Sequence, residues 1–116
     1  MMYNYNAEVI RVVDGDTVEL NIDLGFRMWM RANCRFYGVN APELHSSIEE
    51  VREQAKKAKE FVESKLPAGS KVSILSKKLD KYGRPLVRIF YIDGENPSAC
   101  INDQLLENEL AIEFMS

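Results

Sequence analysis

Strict two-residue alternation over two successive stretches constrains this chain more than any other feature. From Thr17 to Leu24, the residues Val18, Leu20, Ile22 and Leu24 fall on one side, and Thr17, Glu19, Asn21 and Asp23 on the other. Successive side chains of extended backbone point to opposite faces, so this is the pattern of a half-buried strand. A second run follows. Phe26, Met28, Met30, Ala32, Cys34 and Phe36 share one face, and Arg27, Trp29, Arg31, Asn33 and Arg35 the other. A third strand is expected there, long and curved, with Arg27 and Arg31 in water. Ala7 to Val13 is the expected partner of the first run, joined to it through Asp14-Gly15, a strong hairpin signal between apolar-rich runs.

After these strands the period changes. GVNAPELHSS, from Gly38 to Ser47, reads as a loop. Ser46 and Ser47 each stand three residues before a glutamate, Glu49 and Glu50, which is capping-box spacing. Val51, Ala55, Ala58, Val62 and Leu66 then recur at helical intervals, and the helix should stop by Pro67 and Gly69. Lys71 to Ser76 and Leu86 to Ile92 are expected as a fourth and a fifth strand. A short helix is expected from about Ser98 to Glu107, with Ile101, Leu105 and Leu106 inward. Three strands, a helix and two more strands suit a small closed or partly open barrel better than repeated βαβ units.

The bulk properties agree with one ordinary domain. The chain has 116 residues, 46% hydrophobic and 28% charged, which argues against disorder. Its net charge of −3 gives no global attraction to nucleic acid, so polyanion binding must come from a local patch. Such a patch exists in the sequence. Lys71, Lys77, Lys78, Lys81, Arg84 and Arg88 fall between Lys71 and Tyr91 with Asp80 as the one acid, whereas the stretch from Asp93 onward has six acids and no base. Cys34 and Cys100 make neither a disulfide framework nor a metal motif, so two buried free thiols are expected. The start, MMYNYNAEVI, lacks a basic segment followed by a long apolar run, and no stretch approaches a membrane-helix length; a cytoplasmic protein is expected.

Four places collect polar groups of use to chemistry: Asp14 and Asp16; Arg35; Asn40 and Glu43; and Asp80-Lys81-Tyr82-Gly83-Arg84. Each has a plain structural explanation, as a turn, a solvated face or a helix approach. If the alternation of the second strand runs back one step, however, Asp16 falls on its apolar side. A carboxylate there is costly unless it is paired or binds a metal. Together these residues offer hard oxygen ligands, a spare carboxylate and two guanidiniums, which suits a phosphate ester bound to Ca²⁺ or Mg²⁺.

DGDT at Asp14 to Thr17, CRFYGVNAPE at Cys34 to Glu43 and DKYGR at Asp80 to Arg84 resemble, in order and at compatible spacing, the three active-site blocks of the staphylococcal nuclease (thermonuclease) family. The resemblance implies an α+β, mainly β fold spanning residues 1–116 as a single domain. That fold is an OB-type five-stranded barrel with a long helix between strands 3 and 4 and a short C-terminal helix. It implies Ca²⁺-dependent hydrolysis of phosphodiester bonds in DNA and RNA to leave 3′-phosphates. By resemblance Asp16 is a direct Ca²⁺ ligand and Asp14 holds the ion through water. Asn40 stands where the family has a second carboxylate, and Ala41 where a backbone carbonyl completes the site. Glu43 matches the proposed general base, Arg35 and Arg84 the phosphate-binding arginines, and Lys81 and Tyr82 the pair near the substrate's terminal phosphate.

The sequence departs from the family in three places. Asn40 removes a negative charge, so weaker Ca²⁺ binding is expected than at a site with two direct carboxylates. The family's nucleotide-flanking tyrosines and further long helix have no counterpart before Phe114-Met115-Ser116. The stretch from Leu24 to Arg35 is longer than in compact members. Its Phe26, Met28, Trp29 and Met30 are expected as core residues plus one covered Trp, the alternative being a contact surface. His45 is expected to be exposed and idle. A monomer is expected, acting on single-stranded or breathing regions first because the cleft must reach one backbone strand closely. Two other functions compete: a catalytically weak or inactive OB-type module binding nucleic acid or protein, and an interaction domain that docks through Phe26 to Met30.

Overall fold

A computed structural model of the chain describes residues 2–114, with the backbone alone at Lys77. The elements in chain order are β1 (Tyr3–Asp14), β2 (Thr17–Gly25), β3 (Met28–Phe36), β4 (Val39–Asn40), α1 (Glu49–Lys65), β5 (Lys71–Leu79), β6 (Pro85–Asp93), β7 (Asn96–Cys100), α2 (Ile101–Glu107) and β8 (Ile112–Glu113). The described residues are mainly β, with two helices. The larger sheet runs β3-β2-β1-β5-β6-β7, and β3 also pairs with β6. That last pairing is parallel and short, Arg35 with Leu86 and Phe36 with Val87, and it closes five strands into a hydrogen-bonded ring. β4 and β8 form a separate two-residue ladder.

Inward-facing residues of the alternating runs fill the ring. Val9, Val18, Leu20, Ile22, Cys34, Phe36, Ile74, Val87 and Ile89 belong to one buried cluster, with Ala58, Val62 and Leu66 packed onto it from α1. The amphipathic spacing read from the sequence therefore gives the helix face that packs on the sheet. The two cysteines are free and buried, as expected. Gly15 shows how closely α1 meets the β1–β2 turn. A Cβ there would lie 2.7 Å from Ala58 Cβ and 2.9 Å from Ala41 Cβ, so only glycine lets the turn sit on the helix.

Several expectations need correction. β1 starts at Tyr3, earlier than Ala7, because polar YNYN pairs with β5 from Tyr3–Ser76 onward. α1 has Ile48 at its N-cap with no side-chain cap; Ser46 instead accepts a hydrogen bond from Ile48 N at 3.1 Å, which bends the approach and does not cap the helix. The final helix begins at Ile101, and the residues before it form β7, an edge strand returning from the Asp93-Gly94 turn. Pro97 is tolerated there because an edge strand has a row of backbone groups with no ladder partner. Phe26 and Arg27 are not strand residues. They form a two-residue turn with positive φ, 54° and 65°, between the paired Gly25 and Met28. Phe26, Met28, Trp29 and Met30 are 101%, 62%, 54% and 39% exposed, so the expected covered core is absent here: this end of the β2–β3 hairpin lies beyond the packed ring. Among the described residues, no helix is long and apolar enough to cross a membrane.

Candidate active site

The β1–β2 turn, the end of β3 and the loop after it converge. Gly15 and Asp16 form the turn between the paired Asp14 and Thr17. Asp14 Oδ1 accepts the Asp16 N–H at 3.0 Å, which fixes the turn. Asp16 is thereby aimed inward and is 9% exposed. Its Oδ2 accepts the Ala41 N–H at 2.9 Å and lies 3.2 Å from Arg35 Nη1, while its Oδ1 accepts the Thr17 hydroxyl at 3.1 Å. Arg35 Nη2 donates to Asn40 Oδ1 at 2.9 Å, and Nη1 also reaches the Asp16 carbonyl at 3.3 Å. One guanidinium thus ties together Asp16 and Asn40, residues far apart in sequence. Burial, reinforced by the neighbouring Asp14 carboxylate, pushes the Asp16 carboxyl up to about 6, against the opposing pull of Arg35 and the Ala41 N–H.

The third block joins from the β5–β6 turn. Asp80 organises it: Oδ1 accepts the N–H groups of Tyr82 at 2.8 Å and Arg84 at 2.9 Å, and Oδ2 pairs with Arg84 Nε at 2.8 Å. These hydrogen bonds and the Arg84 charge bring the Asp80 carboxyl below its ordinary value, although its partial burial opposes this by raising it. The Tyr82 ring lies between Lys81 Nζ, 5.1 Å from its centroid, and the Arg84 guanidinium carbon at 5.5 Å. Gly83, at φ 81°, supplies the left-handed residue this turn requires.

An open cleft of about 550 Å³ is lined by Arg35, Asn40, Glu43, Lys81, Tyr82 and Arg84. The structure therefore brings six of the nine expected site residues to one concavity. Asp14, Asp16 and Ala41 do not line it; Asp16 is tied to Arg35 and to the Ala41 N–H, and Asp14 to the Asp16 N–H. Glu43 is exposed in the cleft, and its carboxylate has no ion pair or side-chain hydrogen bond among the described residues. His45 is exposed and does not line the cleft.

Sequence reasoning passed over two contributors. Asp80 positions Arg84, a role foreshadowed only by its place in DKYGR. Phe114 also lines the cleft, brought there by the β4–β8 ladder and by its N–H donating to Gly38 O at 3.0 Å. A two-residue ladder has no periodicity to betray it.

The donors at this end of the ring are the oxygens of Asp14 and Asp16, the Asn40 amide oxygen and the Ala41 carbonyl. Their chemistry fits a hard cation such as Ca²⁺. The described residues contain no group of three or more His, Cys, Asp or Glu side chains able to hold a metal, so the anionic part of the set is the two aspartates. Asp16 Oδ2 and Asn40 Oδ1 are both held by Arg35, so a cation competes with the guanidinium for them.

Residues 33–116 match the family model described as Staphylococcal nuclease homologue. That match includes the second and third blocks; Asp14 and Asp16 precede it. An uncharacterised protein of Methanocaldococcus jannaschii is 30% identical over 132 residues, covering 97% of this chain and 61% of its own length. Endonuclease YhcR of Bacillus subtilis is 31% identical over 115 residues, covering 92% of this chain but only 9% of the larger protein. The chain thus spans about three fifths of the one relative and a small part of the other. With a family match over most of its length and the matching blocks gathered at one cleft, the chain belongs to the staphylococcal nuclease homologue family.

Proposed function

We propose that this protein is a Ca²⁺-dependent nuclease that hydrolyses phosphodiester bonds of DNA and RNA, single-stranded regions first, and leaves 3′-phosphates. The five-stranded ring is read as an OB-type barrel. One observation carries the proposal: Arg35, Arg84 and Glu43 line the same cleft, with Arg35 linked both to Asn40, which lines it too, and to the buried Asp16. A module that only binds nucleic acid has no need of this set.

Each residue then has a physical task. Arg84 is held through Nε by Asp80, which leaves its η nitrogens for a phosphate oxygen. Arg35 presents a second guanidinium that stays charged at any working pH. Together they stabilise the added negative charge as water attacks phosphorus. Glu43 accepts the proton of the attacking water. The bond from phosphorus to the 5′ oxygen breaks, and that oxygen takes a proton from solvent. Lys81 and Tyr82 steady the adjoining phosphate. Asp16, Asn40, Ala41 and, through water, Asp14 would hold calcium, which would supply polarisation of the phosphoryl oxygens and orientation of the ester.

The test is cleavage of denatured DNA and of RNA with millimolar Ca²⁺, a chelator control and an Arg84→Ala protein. Calcium-dependent cutting that drops at least about 100-fold in the variant is expected. A well-folded protein that cuts nothing at any Ca²⁺ concentration defeats the proposal. Retained nucleic-acid binding in that case selects the binding-module reading, which the Arg35 contact to Asn40 Oδ1 favours.

A second experiment reads the metal without activity. A carboxyl with a folded value of about 6 against an ordinary 3.8 favours the protonated form on folding. Its contribution is present at low pH and is lost as pH rises towards 6, leaving an ionised, poorly solvated Asp16 at neutrality. A bound cation relieves that cost. Calcium is expected to raise Tm at pH 7.5, less so below pH 6 as protons compete, and not in Asp16→Asn. An equal Tm shift in that variant would remove Asp16 from the metal site.

A further inference from the structure

The far end of the β2–β3 hairpin is unexplained by the cleft. From Met28 to Cys34, β3 has β2 on one side and no hydrogen-bonded neighbour on the other among the described residues, since its pairing with β6 begins at Arg35. An open edge of this kind presents unpaired N–H and C=O groups. Here it coincides with exposed Leu24, Phe26, Met28, Trp29 and Met30, at 39% to 101% exposure. Phe26 and Arg27 both hold positive φ, a conformation costly for side chains other than glycine, asparagine or aspartate. A strained turn that displays a wholly exposed phenylalanine beside a bare strand edge has the marks of a contact surface.

We propose that this chain forms a two-fold dimer by antiparallel pairing of the β3 edges, centred on Met30. A two-fold axis perpendicular to a sheet makes any strand edge antiparallel to its own copy, and keeps each face with its like. The side chains choose the register. Centring on Trp29 sets Arg27 opposite Arg31 of the second copy, and centring on Arg31 sets that residue opposite itself; like charges directly opposite are destabilising. Centring on Ala32 calls on Phe36, already committed to β6. Centring on Met30 sets Met30 against Met30 and Met28 against Ala32 on one face, and Trp29 against Arg31 on the other, a cation over an aromatic. Arg31 is already paired with Glu19 at 2.7 Å, so its charge enters compensated.

The surface is large enough. At roughly 150–250 Å² for a whole aromatic side chain, the five apolar residues expose on the order of 500 Å² per copy. Two copies offer about 1,000 Å² of exposed apolar surface in addition to the strand backbones, against the roughly 1,000 Å² of buried area at which specific interfaces begin.

The test joins sedimentation with cysteine scanning on the full chain. Opposed residues have Cα atoms about 4.5–5.5 Å apart, within disulfide reach. Residues two positions out of register are roughly 8 Å apart, beyond it. Met30→Cys is therefore expected to give a covalent dimer under mild oxidation, and Trp29→Cys and Arg31→Cys far less. The native cysteines are buried. Unmodified protein should sediment as a dimer at micromolar concentration, and Met30→Lys as a folded monomer. A monomer at all concentrations overturns the proposal, and if that monomer binds anionic vesicles the patch belongs to lipid. A dimer that survives Met30→Lys, or crosslinks equally well at all three positions, overturns it too.

Discussion

Arg35→Ala is expected to lower the cleavage rate by roughly 10²- to 10³-fold on denatured DNA, with the protein still folded. Its side chain joins several of the site's parts. It lines the cleft, pairs with Asp16 at 3.2 Å and holds Asn40 at 2.9 Å. Removing it takes away one of the two guanidiniums proposed to bind phosphate and releases the Asn40 side chain. Arg35→Lys keeps the charge but not the planar fork, so it should recover only a small part of the rate. The same variant has a pH signature. Without the guanidinium, the Asp16 carboxylate loses the charge that lowers its pKa. The variant should therefore lose more stability at pH 8, where Asp16 must ionise, than at pH 5, where it stays neutral. Thermal melts at the two pH values and single-turnover cleavage check both halves. A folded Arg35→Ala protein that cuts at the unmodified rate would place phosphate binding elsewhere.

The sequence made some of this legible for identifiable reasons. β2 and α1 were readable because each repeats a period over enough residues to be distinguished from chance: Val18, Leu20, Ile22, Ala58, Val62 and Leu66 are in the core, whereas Leu24, at the end of its run, is 41% exposed. Asp16 was readable because alternation carried one step back put a carboxylate on the apolar side, where the structure buries it. The alternation of Phe26 to Met30 misled for a complementary reason. Period two reports that two faces differ, not that either face is covered, and the hairpin outruns the ring that would cover it. β7 escaped notice because NPSAC has neither alternation nor β-branched residues, and its place is fixed by pairing with β6 from Asp93–Asn96 onward. The site was legible as three blocks of residue types. How they connect, with Arg35 bridging Asp16 to Asn40 and Asp80 bracing Arg84, depends on contacts that no local pattern encodes.

Asn102→Ala is expected to cost about 3 kcal/mol of stability, a fall in Tm of roughly 10–20 °C. Asn102 is 1% exposed, a position that usually belongs to an apolar residue. Its Oδ1 accepts the Ile89 N–H at 3.1 Å, and its Nδ2 donates to the carbonyls of Tyr37 at 2.9 Å and Val87 at 3.0 Å. One amide thus fastens α2 to β6 and to the turn that leads from β3 towards Asn40, Ala41 and Glu43. Val87 O keeps a second partner in the Tyr37 N–H, so alanine would orphan chiefly Ile89 N and Tyr37 O. Two buried groups at about 1–3 kcal/mol each account for the size of the effect. Asn102→Asp separates hydrogen bonding from packing. The shape is kept and Oδ1 still accepts, but at neutral pH a buried carboxylate faces two carbonyl oxygens. That variant should be less stable than the alanine protein at pH 7. It should gain on acidification, as the protonated carboxyl becomes able to donate to one of them. Because the same turn carries the cleft's loop, Asn102→Ala should also raise KM at temperatures where it is folded. A variant melting within 2 °C of the unmodified protein, an interval of roughly 0.5 kcal/mol, would mean that water replaces the amide and that the turn is held by other contacts.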